Sequence, residues 1–194
     1  TSNIIQITNN NTASIVDIIL GDSIFPGKKV EINMPMGLTP DASNNLYISN
    51  YGDQIDPVLK LTFDTSSNGI LNLGTIAYPT DTASGVNSES IFISTGFPND
   101  KVLELDSAGA LTTYAAESLP AYSLTINNLS NRLYVLLETG VVKSINSNGV
   151  VSTFSISGDA PTGGSKCIRF KVEPIFPYFL YITDTPNAQI LKVT

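Results

Sequence analysis

Histidine is absent from the 194 residues, and no other gap in the composition removes as much chemistry. A Ser–His–Asp or Cys–His centre has no base, and the zinc sites that use imidazole have no ligand. Cysteine is reduced to one residue, Cys167. No internal disulfide can form, and the apolar run Cys167-Ile168-Arg169-Phe170 reads Cys167 as a small buried hydrophobe rather than a nucleophile. Basic residues are scarce: 10 Lys and Arg against 17 Asp and Glu leave a net charge of −7. That charge repels a phosphate backbone and argues against nucleic acid as a partner. Charged residues make up only 14% of a chain that is 42% hydrophobic, which argues against disorder. No apolar run is long enough to span a bilayer, and no signal peptide is recognisable. The chain opens at Thr1, which suits a processed product or part of a longer polypeptide.

Asn, Ser and Thr are abundant, and they favour turns and exposed strand faces over helix interiors. No stretch carries a convincing helical period. A different period is present. Leu46-Tyr47-Ile48, Ile91-Phe92-Ile93, Leu133-Tyr134-Val135 and Leu180-Tyr181-Ile182 set aromatics at 47, 92, 134 and 181, separations of 45, 42 and 47 residues. Each is followed by a second apolar segment with a polar residue inside it: Val58-Leu59-Lys60-Leu61, Val102-Leu103-Glu104-Leu105, Val141-Val142-Lys143-Ser144-Ile145 and Ile190-Leu191-Lys192-Val193. Ile4-Ile5-Gln6-Ile7 is a fifth copy at the start. A third segment follows a turn in most copies, and Asn68-Gly69 suits the positive φ of a two-residue hairpin turn. Met36–Thr39, Ser84–Asn87, Tyr122–Thr125 and Cys167–Phe170 complete the units as innermost strands. Repeats of this length with several strands each predict four-stranded antiparallel blades, an all-β propeller of about four blades.

Pro35-Met36-Gly37-Leu38-Thr39-Pro40-Asp41, Asn45–Asn50, Val58–Leu61 and Asn68-Gly69 together resemble an NHL repeat, the blade of one class of six-bladed β-propellers. The resemblance weakens along the chain from Asn3 to Thr194. It implies architecture more than activity, because propellers of this type include scaffolds, receptors, lyases and lactonases. The chain is too short for six blades, and the family's basic contact from the third strand to the next blade is only partly available.

The expected organisation is one propeller domain over 1–194, with blade parts at 1–20, 36–76, 84–116, 121–157 and 166–194. Its strands exceed a closed four-bladed ring by one. Both Ile4–Thr8 and Ile190–Thr194 read as a third strand beside Leu180–Thr183. The ring is therefore partial, or completed by both termini, or completed by a neighbouring chain. If Ile190–Thr194 takes the place, Ala13–Ile19 can add outside it, and Ile4, Ile5 and Ile7 are left as an apolar strand that invites another subunit.

Propeller ligands generally bind on the face that bears the loops after the second and fourth strands. Those loops carry Tyr51, Asp53, Phe97, Asp100, Glu138 and Asp184, which are the candidate ligand contacts. The plainer reading is solvated loops in an acidic protein. The functional one is a site for a cation or sugar rings, since carboxylates ligate hard cations and aromatic faces cover sugars. Asp64–Gly69 opens like a calcium loop but has Thr75 where the last ligand belongs, so it reads as a turn. No catalytic residue and no cofactor is expected, with calcium as the alternative. Asn10-Asn11-Thr12 and Asn128-Leu129-Ser130 match glycosylation acceptors and lean toward an extracellular or cell-surface protein. The function expected is a non-catalytic interaction or scaffold module that engages a protein partner or its own copies. The alternatives are a carbohydrate-binding propeller or a metal-dependent hydrolase or lyase of the gluconolactonase-like kind, which would draw on Asp53, Asp100, Glu138 or Asp184.

Overall fold

The computed structural model describes residues 4–7, 13–16, 34–43, 45–52, 58–63, 68–73, 76–85, 90–115, 118–156, 161, 167–172 and 178–193. Among these the chain is all β, and its one helical turn is a 3₁₀ turn at Thr185–Asn187. β1 (Ile4–Ile7) and β2 (Ala13–Val16) form a hairpin. Three four-stranded antiparallel sheets follow. The first holds β3 (Pro35–Pro40), β4 (Leu46–Asn50), β5 (Val58–Phe63) and β6 (Asn68–Asn72). The second holds β7 (Pro79–Ser84), β8 (Ile91–Thr95), β9 (Val102–Leu105) and β10 (Leu111–Ala115). The third holds β11 (Ala121–Asn127), β12 (Arg132–Leu137), β13 (Val142–Ile145) and β14 (Val151–Thr153). A three-stranded sheet of β15 (Cys167–Val172), β16 (Tyr178–Asp184) and β17 (Gln189–Val193) ends the series.

The repeat seen in the sequence is a repeat of register. Tyr47, Phe92, Tyr134 and Tyr181 each lie on the second strand of a sheet, opposite Thr39, Ala83, Thr125 and Arg169 of the first. On their other side they meet Lys60, Glu104, Ser144 and Lys192 of the third. Lys143, expected in that last set, is one residue off and pairs with Val135. Successive sheets bury an apolar layer between them, because each strand sends alternate side chains to alternate faces. Tyr47 packs with Ile91 and Ile93 between the first two sheets. Phe92 packs with Leu124 and Leu133 between the second and third. Tyr134 packs with Leu180 and Ile182 between the third and the last. The first strands neighbour one another in chain order, β3 against β7, β7 against β11 and β11 against β15.

Three expectations are corrected. Asn68 and Gly69 lie on β6, paired with Phe63 and Thr62, because the strand pairing runs past them toward residues 64–67, which lie outside the described set. The first strand of the second full sheet is Pro79–Ser84, not Ser84–Asn87, since Ile91–Thr95 pairs back as far as Pro79. Finally, among the described residues β2 pairs with β1 and not outside β17. Ile4, Ile5 and Ile7 pair with Val16, Ile15 and Ala13, so β2 satisfies backbone groups of β1 locally instead of adding outside β17. Gln189–Val193 does take the place beside β16.

Candidate functional site

The first strands are tied to one another by side chains reaching into the next sheet's backbone. Thr39 Oγ1 donates to the Thr82 carbonyl at 2.6 Å, Ser84 Oγ to the Pro40 carbonyl at 2.6 Å, and Thr80 Oγ1 to the Ala121 carbonyl at 2.7 Å. Asp81 is the hub of this arrangement. It lies on β7, buried, just past a register shift. Matching shifts precede Gly37 on β3 and Ser123 on β11. Such bulges re-aim the next side chain, here across the sheets. Asp81 Oδ2 accepts from Ser123 Oγ at 2.5 Å and from the Leu124 N–H at 3.1 Å, while Oδ1 accepts from the Thr82 N–H at 2.9 Å. On its other side it lies against Gly37, where any Cβ would collide with the Asp81 carboxylate and backbone. Only glycine fits there. Asp81 is thus committed to holding three sheets together.

The loop face that the sequence singled out lies at the opposite end of the second strands from the β3–β4 turn. Tyr51 is half-buried, with its ring 5.8 Å from that of Tyr78 and tilted by 55°. Gly96 opens the adjacent loop beside both Tyr51 and the Tyr78 carbonyl. Phe97 follows at 75% exposure. Asp100 closes the loop with a left-handed φ of 43°, and its N–H donates to the Gly96 carbonyl at 3.2 Å. Its Oδ1 is buried and meets no hydrogen-bond partner among the described residues. The Asp100 carbonyl accepts from the Leu119 N–H, and the exposed Glu138 sends its N–H to the Pro120 carbonyl, which links these loops through the backbone. Asp184 is buried, and its Oδ2 accepts from Asn187 Nδ2 at 2.8 Å and Gln189 Nε2 at 2.9 Å. It braces its own loop. Tyr51, Tyr78 and the 96–100 loop are therefore brought together, whereas Asp53 and Asn10 lie outside the described residues. Asn128 begins the turn after β11, which Asn127 Oδ1 shapes by accepting from the Leu129 and Ser130 N–H groups. Among the described residues no three Asp, Glu, Cys or His side chains group as a metal site.

A cavity of about 180 Å³ opens at the other end of the first strands, among Thr39, Thr82, Ser84, Leu124, Ile126 and their neighbours. Sequence reasoning missed both this cavity and the buried position of Asp81 on a strand. The signal for each was a departure from the repeat. Asp81 stands where the other sheets have Gly37, Ser123 and Cys167, and Thr82 where they have Leu38, Leu124 and Ile168.

No protein-family model and no curated protein matches the chain. Solved structures do. A gluconolactonase from Xanthomonas campestris matches with TM-score 0.66 at 17% identity, over 94% of this chain and 62% of that one. Virginiamycin B lyase from Staphylococcus aureus matches with TM-score 0.63 at 15% identity, over 98% and 62%. The chain has the β-propeller fold. A chain of the nidogen/laminin complex also matches, with TM-score 0.63 at 10% identity, over 97% of this propeller chain and 83% of that one. The chain spans 62% of the length of the lyase and of the gluconolactonase. At these identities the likeness is one of fold. No helix among the described residues is long and apolar enough to cross a membrane.

Proposed function

We propose that this partial propeller is a non-catalytic interaction and scaffold module, extracellular or on a cell surface, that associates with a second copy of itself. The observation that carries this reading is the outer face of β3. Met36 and Leu38 are 49% and 45% exposed there, whereas Thr82 and Leu124, the equivalents of Leu38 on β7 and β11, are buried by the preceding sheet. Among the described residues β3 has no such cover. Among the described residues the last sheet, at the far end of the series, has three strands. The apolar face of β3 suits a head-to-tail contact, in which the last sheet of one copy covers β3 of the next. Light scattering should give at least twice 20.7 kDa at high concentration, falling to 20.7 kDa when Met36 and Leu38 are both replaced by Glu. A monomer at every concentration would sink self-association.

The metal-dependent reading keeps one specific support, the buried and unpartnered Oδ1 of Asp100. A carboxylate oxygen in that state suits a hard cation such as calcium. Saturable calcium binding abolished by Asp100→Asn would favour it over the scaffold.

A further inference from the structure

We infer that the outward face of the last sheet, centred on Ile190, is the tail half of the head-to-tail contact and receives β3 of a second copy. This rests on the self-association reading and names the surface that β3 meets. Leu180, Ile182, Leu191 and Val193 pack with Tyr134 of the third full sheet. Strand alternation therefore points Phe179, Tyr181, Ile190 and Lys192 the other way. Ile190 pairs with Thr183, two residues beyond the aromatic Tyr181. At the same place in the three full sheets stand Val58 opposite Ser49, Val102 opposite Ser94 and Val142 opposite Leu136. Each of those valines is at most 1% exposed and belongs to the apolar layer shared with the sheet that follows. Ile190 is 70% exposed. Phe179 and Tyr181 beside it are half-buried, whereas Tyr47, Phe92 and Tyr134 are buried.

A second copy supplies what this face is built to meet. Within the chain, each sheet turns its outward face to the next one, whose first strand lies alongside its own: β3 against β7, β7 against β11 and β11 against β15. The two ends of the series carry the two sides of that same contact. At one end Ile190 is exposed where valines are buried, and at the other Leu38 is exposed where Thr82 and Leu124 are buried. In the receiving copy Ile48 and Leu59 are already fully buried, so its open surface is β3 with Met36 and Leu38, next to the half-buried Leu46 on β4. The tail face also carries Lys192, whose Nζ lies 3.6 Å from the Phe179 ring centroid. A positive charge there eases the approach of a copy whose net charge is −7. Because the two faces differ, the contact is heterologous, and each copy has one of each.

The test is complementation between two variants. Ile190→Glu makes a copy without a tail, and Met36→Glu with Leu38→Glu makes a copy without a head. Light scattering at high concentration should give each variant alone as 20.7 kDa, and the wild type as twice that or more. Mixed one to one, the headless copy still has a tail and the tailless copy a head. The mixture should therefore reach about twice 20.7 kDa and grow no further, since each pair ends in two spoiled faces. Both changes fall at exposed positions of the single chain, so the two variants should melt alike. If Ile190→Glu still associates while the headless copy does not, the inference is overturned and self-association stands. A mixture that stays at 20.7 kDa would overturn it too, because like faces would then be meeting like. An Ile190→Glu chain that melts well below the headless one would show Ile190 serving the fold instead. A wild type that is monomeric throughout removes the self-association reading, and the inference with it.

Discussion

Tyr134 shows how a repeated residue becomes a structural one. It is buried on β12, its ring meets Phe154 edge-on at 5.2 Å, and it packs with Leu180 and Ile182 of the following sheet. Tyr134→Ala should cost about 3–5 kcal/mol, as truncation of a buried aromatic does. For a chain of this size that corresponds to a fall in Tm of roughly ten degrees. A thermal melt checks it, and unchanged stability would mark the aromatic column as functional instead. The column was legible in the sequence because burial between sheets selects large apolar rings at a fixed register. Asp81 was not legible in the same way. An aspartate among Pro79, Thr80 and Thr82 looks like loop chemistry, and only the bulge and the approach of β11 turn it inward.

Strand by strand, the joints between sheets carry the architecture. β7 is the best-tied element, with Thr80 reaching β11, Ser84 reaching β3 and Asp81 gathering donors from β11. Asp81→Ala leaves the Leu124 N–H and the Ser123 hydroxyl without their acceptor in a buried place, which should cost about 1–3 kcal/mol. Urea denaturation reads this directly, and an unchanged midpoint would show the bridge to be idle. The element boundaries that sequence reasoning displaced are of one kind. Asn68-Gly69 has turn propensity, but pairing with Thr62 and Phe63 overrides it. The start of β7 was hidden because Pro79 and Asp81 have poor strand propensity, while their pairing with β8 offsets it.

At the scale of the whole molecule, the lack of His leaves the side chain that ordinarily titrates near neutrality out of the stability balance. The edges of the pH range are set by other groups. Burial pushes the phenols of Tyr47, Tyr114 and Tyr134 above their ordinary value, with Lys60 pulling Tyr47 the other way. The unfolded chain then releases these protons first, so stability should fall as pH rises through about 10. Burial also works to raise Asp41, but hydrogen bonds from the Asn45 side chain and from the Asn45 and Ser43 N–H groups outweigh it and hold its carboxyl below 3.8. Its contribution is full above that ordinary value and is lost as pH falls through the lower folded one. Urea midpoints measured across pH should therefore be level through neutrality and decline at both ends. A midpoint that holds steady from neutrality to above pH 10 would contradict the phenol assignment. The sequence by itself determined the all-β class, the blade-length repeat and the aromatic column, because strand alternation and burial between stacked sheets are written in local periodicity. Only the tertiary structure decided that β3 keeps an open apolar face, that Asp81 joins β7 to β11 against Gly37 and that Thr82 lines a cavity. Those outcomes depend on which sheets lie side by side, and residues far apart in the chain settle that by packing rather than by local pattern.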